Sequence, residues 1–414
     1  MNYQNKSIFY IPIQFSDYNK TVTCFNNDES WEKAKTPSPS YLLPYVTKIA
    51  KSPEYYQCFE KKNINASELY IYKNWLESQF NLHINPTLEK IRFSCFATNI
   101  AFLEYWFAFE DGDVVSDMLN FAYWFKRAKP KNEWLDQGTK SLFDYSLDIM
   151  PAGINMKMFF TSEKVFKYDC KCFHTVKVSG KYSQEELDDL LHRLSRNYNF
   201  SFASALDESE HDMIYKPYSY DIWCGSPDAM ANVVLYEDKD RNLNFINGHK
   251  YDQILSDHHF MYLFLLNQRF SLLKYLSAVS ENDTGSRKSL DNIIKESVKF
   301  KTTFSFRVVS DDLLYQSIYS KMYHILSLDQ LIEDTLENEK QAEFELSKNK
   351  SRTEDNLSVL LLGLSFLSLF SALTDATSFF DRVNIQNNIS TLISILCVLI
   401  IFLICCYKIF IDNK

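Results

Sequence analysis

The sequence predicts an α/β domain with a mixed sheet, then a long helical stalk, then a two-helix C-terminal transmembrane hairpin: a membrane protein. Three observations carry that expectation. Strand-like and helix-like runs interleave over residues 1–250. From Tyr251 the strand signal stops, and apolar residues recur three and four apart through 251–356. The last 58 residues, 357–414, hold two apolar runs almost without charge. At 414 residues, 46% apolar and 23% charged, the chain can bury a large core.

The first strand is SIFYIPIQF (Ser7–Phe15), and no apolar leader or cleavage pattern precedes it. NASELYIYKNWLESQF (Asn65–Phe80) has helical spacing. Ile91–Phe109 reads as one or two aromatic-rich strands, and Val114–Arg127 as a helix. Ser183 opens a helix to Arg196 with a Ser-x-x-Glu capping pattern. Ala229–Tyr236 is a strand closed by a charged turn. Helices follow over 251–282 and about 288–304. From Leu313 the apolar residues Leu314, Ile318, Met322, Ile325, Leu328, Ile332 and Leu336 step by three and four. No Gly or Pro interrupts the pattern up to Asn356, so one continuous helix of about 66 Å is expected.

Leu357–Leu373 is uncharged over 17 residues, about 26 Å of helix, and Ile389–Phe410 carries only Lys408 over 22 residues, about 33 Å. Two transmembrane spans are expected there. Lys348, Lys350, Arg352, Lys408 and Lys414 flank them, against Arg382 alone in the loop. That asymmetry predicts a multi-pass protein of the plasma (inner) membrane with both termini cytoplasmic and membrane lipid around the spans.

Charge and motifs narrow the function. The net charge of −9 and the lack of a basic footprint exclude duplex nucleic acid as the main partner. Nine cysteines are scattered, and Cys170-x-Cys172 has no second pair at metal spacing, so reduced thiols are expected rather than zinc. No phosphate loop is present. His174, His192, His211, His249 and the run Asp257-His258-His259 offer acid–base groups, but no nucleophile motif joins them, and the chain is not expected to be an enzyme. Nine acids against two bases lie between Asp311 and Glu345, among them Asp329, Glu333, Asp334 and Glu337. They form either a solvated helix face or a surface that senses a divalent cation such as Mg2+.

An α/β domain, helices, a stalk and two C-terminal spans, in that order, resemble the CorA-like metal-ion transporter family. HHFMYLFLLNQRFSLLKYL (His258–Leu276) looks like its first long helix, with the L-x-x-Q-R-x-x-L-L pattern, and FSFRVVSDDLLYQSIYSKM (Phe304–Met322) and LSLDQLIEDTLENEKQ (Leu326–Gln341) look like its stalk approach. The likeness covers about residues 220–414. It departs at the family's Gly-Met-Asn filter, where this chain reads TDATSFFDRVNIQNN (Thr374–Asn388) without Gly. The resemblance implies a homo-oligomeric cation channel or transporter, a pentamer in the family, with a large cytoplasmic regulatory domain. Ser358, Ser365, Ser368, Ala372 and Asp375 share one side of the first span, as a pore lining or as small-residue helix packing. Asp381, Asn384, Asn387 and Asn388 stand in the outer loop. CorA-like proteins without the filter also occur beside type III CRISPR systems. There the resemblance implies an alternative: a membrane effector gated by a small nucleotide.

Overall fold

Strand β1 (Lys6–Phe15) shows why a sheet forms with both faces covered. Its sequence, KSIFYIPIQF, is apolar on both sides, and nine of its ten residues are buried. Such a strand has no solvent face and needs a layer above and a layer below. The computed structural model describes residues 4–35, 39–64, 86–110, 115–126, 142–158, 170–179, 182–199, 214–236, 245–281 and 287–341, with 344, 358, 360–365 and 368.

Nine further strands join β1: β2 (Trp31–Lys33), β3 (Tyr56–Lys61), β4 (Thr87–Phe96), β5 (Ile100–Ala108), β6 (Met156–Met158), β7 (Lys171–Ser179), β8 (Ile214–Tyr218), β9 (Asp221–Gly225) and β10 (Ala229–Tyr236). Nine of the ten follow the order β2-β3-β4-β5-β1-β7-β10-β9-β8, while β6 pairs with the end of β1. The β7–β10 pair is parallel, and the other pairs are antiparallel. The sheet is therefore mixed.

The helices are α1 (Tyr18–Asn27), α2 (Pro44–Lys51), α3 (Val115–Phe125), α4 (Leu142–Asp148), α5 (Gln184–Arg196), α6 (His259–Glu281), α7 (Arg287–Phe304) and α8 (Leu313–Ile325). One core joins Phe9, Ile11 and Ile13 of β1 to Phe121 and Phe125 of α3 and Leu191 and Leu194 of α5. The other joins Ile8 and Tyr10 of the same strand to Val46 of α2, Leu266 of α6 and Ile318 of α8. Alternation along one strand thus feeds both cores, and three layers result. Helix α5 starts with the expected capping box, in which Ser183 and Glu186 satisfy each other's backbone N–H. It ends on Asn197 in the left-handed region, at φ 52°.

Two features of the helical half differ from the sequence reading. The chain enters α6 through two π-helical turns, Ile246–Lys250 and Ile254–His258, separated by a single α-helical turn. The expected continuous helix from Leu313 is also broken, because α8 stops at Ile325 and Ser327 takes φ 53° before helix resumes over 328–341. The break has a physical cause. It buries both Leu326 and Leu328, and it frees the Leu326 carbonyl to accept from the Arg269 guanidinium of α6.

The chain divides into two units, Met1–Glu337 and Asn338–Lys414. In the second unit residues 338–341, 344, 358, 360–365 and 368 are described, and all are helical. The expected transmembrane hairpin is overturned: among the described residues no helix is long and apolar enough to cross a membrane. The run 389–410 lies outside the described residues, as does the helix expected at 65–80. The readings that rested on the hairpin fall with it. These are the membrane-protein fold class, the channel, and the multi-pass plasma-membrane location with cytoplasmic termini.

The break at Ser327 is open to test. Ser327→Gly should raise the unfolding free energy by up to about 1 kcal/mol, since glycine alone adopts positive φ without cost. Ser327→Ala should not raise it. Stabilisation by Ala in urea unfolding would show that a continuous helix is the better state.

Candidate functional site

Strand β5, IAFLEYWFA, is buried at every position, so its single acid, Glu104, has no water to solvate it. Three donors replace the water. Tyr56 donates to Ser94 (3.0 Å), which donates to Glu104 Oε1 at 2.5 Å. Trp106 Nε1 and His259 Nε2 both donate to Oε2, at 2.9 and 3.1 Å. Burial by itself would raise the Glu104 pKa. It is outweighed by the charge of His259, by the bonds from His259 and Ser94, and by the nearby Arg92, so the carboxyl is held below its usual range. His259, the first residue of α6, stacks on Tyr10 at 5.9 Å and leans on Trp106 at 4.7 Å. The first turn of α6 is thereby fastened to β1, β4 and β5.

Trp106 carries a second group. Alternation along β4 puts Lys90, Arg92 and Ser94 on the same sheet face, and Lys90 pairs in register with Trp106. Lys90 Nζ sits 3.9 Å from the Trp106 ring centroid and the Arg92 guanidinium 5.2 Å from it. Arg92 is bound to Glu60 at 2.9 Å and Lys6 to Glu89 at 2.7 Å. Lys90 makes no ion pair among the described residues. Burial first, and then the charge of Arg92, push its amine down to about 8. A half-buried ammonium with a cationic neighbour and no carboxylate of its own can pair with an anion from outside.

A third feature lies at the π-helical entry. His258 is sandwiched between Trp223, at 4.8 Å, and Tyr315, at 4.6 Å, and the half-exposed Tyr41 stacks on Tyr315 at 4.8 Å. Burial pushes the His258 imidazole down to about 3. Lys250 of the first π turn pairs with the buried Asp221, which also accepts from Asn232 at 2.7 Å. Asp257 is pushed up by burial.

On the opposite face, Ser7 donates to His174 Nδ1 at 2.8 Å and His174 Nε2 donates to Asn197 Oδ1 at 2.5 Å. The order is that of nucleophile, base and orienting group. All three residues are 0% exposed, so no substrate reaches the hydroxyl. Burial pushes His174 down to about 4, and the set ties the end of α5 to β1 and β7. The cysteines Cys58, Cys95, Cys170, Cys172 and Cys224 are buried.

The residues singled out from sequence fare differently. Asp329, Glu333 and Glu337 are exposed on the helix over 328–341 and Asp334 is half-buried, while Asp329 pairs with Arg307 at 2.6 Å. Among the described residues no three His, Cys, Asp or Glu side chains group to hold a metal ion. Ser358, Ser365 and Ser368 are exposed, and Ser365 donates back to the Leu361 carbonyl at 2.8 Å. Ala372, Asp375, Asp381, Asn384, Asn387, Asn388 and His211 lie outside the described residues. Of the histidines, His258 and His259 are drawn into the sheet-face cluster, and His174 lies on the far side. Sequence reasoning missed Lys90, Arg92, Glu104 and Trp106. The available signal was one acid inside a nine-residue apolar strand, beside a strand with bases at alternate positions.

No family model, no curated protein and no solved structure matches the chain. The likeness to CorA-like transporters therefore rests on the sequence patterns alone.

Glu104→Gln should lower stability by about 3 kcal/mol, because it leaves His259 in the core without its carboxylate. A double-mutant cycle with His259→Gln in urea unfolding should show coupling of about 1 kcal/mol or more. Stability should also fall with acid. His174 and His258 have folded values near 4 and 3 against an ordinary 6.5, so only the unfolded chain takes up their protons as the pH drops below 6.5. Their contribution is complete above pH 6.5 and is lost progressively toward pH 4 and 3. Glu104, lowered from 4.5, adds its own loss below that pH. His174→Gln should flatten the decline between pH 6.5 and 4 in unfolding midpoints.

Proposed function

We propose that this protein is a non-catalytic, ligand-gated regulator whose sheet unit takes a small phosphate-bearing ligand of the nucleotide type. The observation that carries the reading is the Lys90 ammonium over Trp106, beside Arg92 and without an ion-pair partner among the described residues. A phosphate oxygen there relieves the repulsion between the two cations. Trp106 hands the event on, since its indole N–H and its ring touch Glu104 and His259, and His259 starts α6. A ligand that draws Lys90 off the indole therefore acts on the clamp that seats a 23-residue helix.

Regulation is favoured over catalysis by how the acid–base groups are placed. Glu104, His174, His258 and His259 are at most 4% exposed, and each is held between separate elements. Groups fixed in this way order a fold and offer no reacting face to a substrate.

The test is titration calorimetry of the full chain with mono- and cyclic nucleotides, with inorganic phosphate as control. At least one nucleotide should bind, its affinity should fall as salt rises, and Lys90→Gln should weaken it tenfold or more, about 1.4 kcal/mol. The nucleotide should be recovered chemically unchanged. Turnover of the nucleotide, or affinity indifferent to Lys90→Gln, would overturn the proposal.

A further inference from the structure

Four exposed, large apolar side chains of the first unit meet where the chain enters α2 and α8. Tyr41 and Tyr45 are each 39% exposed, Val308 52% and Leu313 81%. Short-range bonds zip the two entry segments together. Leu43 N donates to the Val309 carbonyl at 2.8 Å, Ser310 Oγ to the Tyr41 carbonyl at 2.5 Å, and the Tyr45 hydroxyl to the Val308 carbonyl. From α8, Gln316 accepts from Val309 N at 2.9 Å and donates to the Arg307 carbonyl at 2.9 Å. Tyr41 lies flat on the buried Tyr315 at 4.8 Å, and Tyr45 leans on Phe306 at 4.7 Å. The patch is therefore aromatic, exposed and held from behind. Such a surface marks a docking site, and little ordering remains to be done when a partner arrives.

We propose that this patch docks an arginine-bearing segment of a partner protein. Charge selects that occupant. Asp311 and Asp312 are exposed; the charge of Asp311 acts on the Tyr45 hydroxyl, and those of Asp257 and Asp312 act on the Tyr315 hydroxyl. Asp312 caps α8 by accepting from Leu314 N at 2.9 Å. Asp311 makes no ion pair among the described residues. Of the exposed bases nearest in sequence, Arg307 is taken by Asp329 at 2.6 Å, and Lys48, one turn beyond Tyr45, pairs with neither acid. An arginine matches both the rings and the acid. Its planar guanidinium stacks on an aromatic face and bonds a carboxylate through two parallel N–H groups. Here the tyrosines supply the face and Asp311 the carboxylate, while an apolar neighbour of the arginine covers Val308 and Leu313. Other occupants fit less well. The two acids repel an anionic membrane, and a second copy related by a two-fold axis brings its own two acids against them. The surface shares no residue with the Lys90 site and stands apart from the nucleotide reading.

The experiment applies the full chain to an array of short blocked peptides, each with one fixed arginine and with leucine, proline or serine varied around it. Matched arrays carry citrulline, which keeps the shape without the charge, or lysine. Affinities of the strongest peptides are then measured by fluorescence anisotropy. Arginine peptides with apolar neighbours should bind, lysine should weaken them several-fold, and citrulline tenfold or more. Asp311→Asn should weaken binding tenfold or more and Leu313→Ser several-fold. Both positions are exposed, so circular dichroism and the unfolding midpoint should stay unchanged. No bound arginine peptide, equal binding of arginine and citrulline, or affinity indifferent to Asp311→Asn would overturn the proposal. So would a dimer in sedimentation that Leu313→Ser abolishes, which assigns the patch to a second copy. Flotation with phosphatidylcholine–phosphatidylserine vesicles, lost in Leu313→Ser, would overturn it in favour of a membrane.

Discussion

A carboxylate in the middle of a ten-stranded sheet has to be solvated by protein, and the arrangement around Glu104 follows from that requirement. In water the group would cost nothing to ionise. Inside β5 it needs several donors at hydrogen-bond distance, and they come from β4, from β5 itself and from the first residue of α6. Supplying His259 sets where α6 begins and how it is rotated, because the imidazole must also lie against Tyr10 and Trp106. The π-helical turns ahead of α6 are consistent with the same demand. They change the helical phase so that His258 meets Trp223 and Tyr315 while its neighbour His259 reaches Glu104.

This constraint couples the two halves of the first unit. The sheet is laid down by β1 and its neighbours, whose apolar sequences need cover on both faces. The helices after Tyr251 supply the cover on one face, and they are fixed by a few polar contacts set within a large apolar area. Arg269 holds the broken end of α8, Gln268 donates to Tyr319 at 3.0 Å, and His259 holds the sheet. Apolar burial supplies most of the stability and little directionality, whereas the polar contacts choose one docking among many of similar area.

The same geometry explains why groups that look reactive in one dimension are quiet in three. Ser7, His174 and Asn197 line up as a relay, yet all three are fully buried and Phe9 packs edge-on against the imidazole. Lys90 is the contrary case. It is an ordinary strand lysine by sequence, and only its partial burial, and then the nearby charge of Arg92, make its amine unusual.

Much of the sheet was legible in the chain itself. Apolar alternation and continuous apolar runs marked β1, β4, β5 and β10, and the Ser183–Glu186 box marked the start of α5, because these signals depend on neighbours in sequence. The period also promised an unbroken helix from Leu313, and apolar length alone promised a membrane hairpin; neither is found among the described residues. Periodicity cannot register that burying Leu326 and Leu328 together outweighs one turn of helix. The candidate site was equally hidden. The partners Glu60 and Arg92 are 32 residues apart and Glu104 and His259 are 155 apart, and which carboxylate each cation meets is decided only when strands pair. Ion pairing and desolvation depend on distance in space, so they belong to the tertiary structure, while backbone propensity and amphipathic period belong to the sequence.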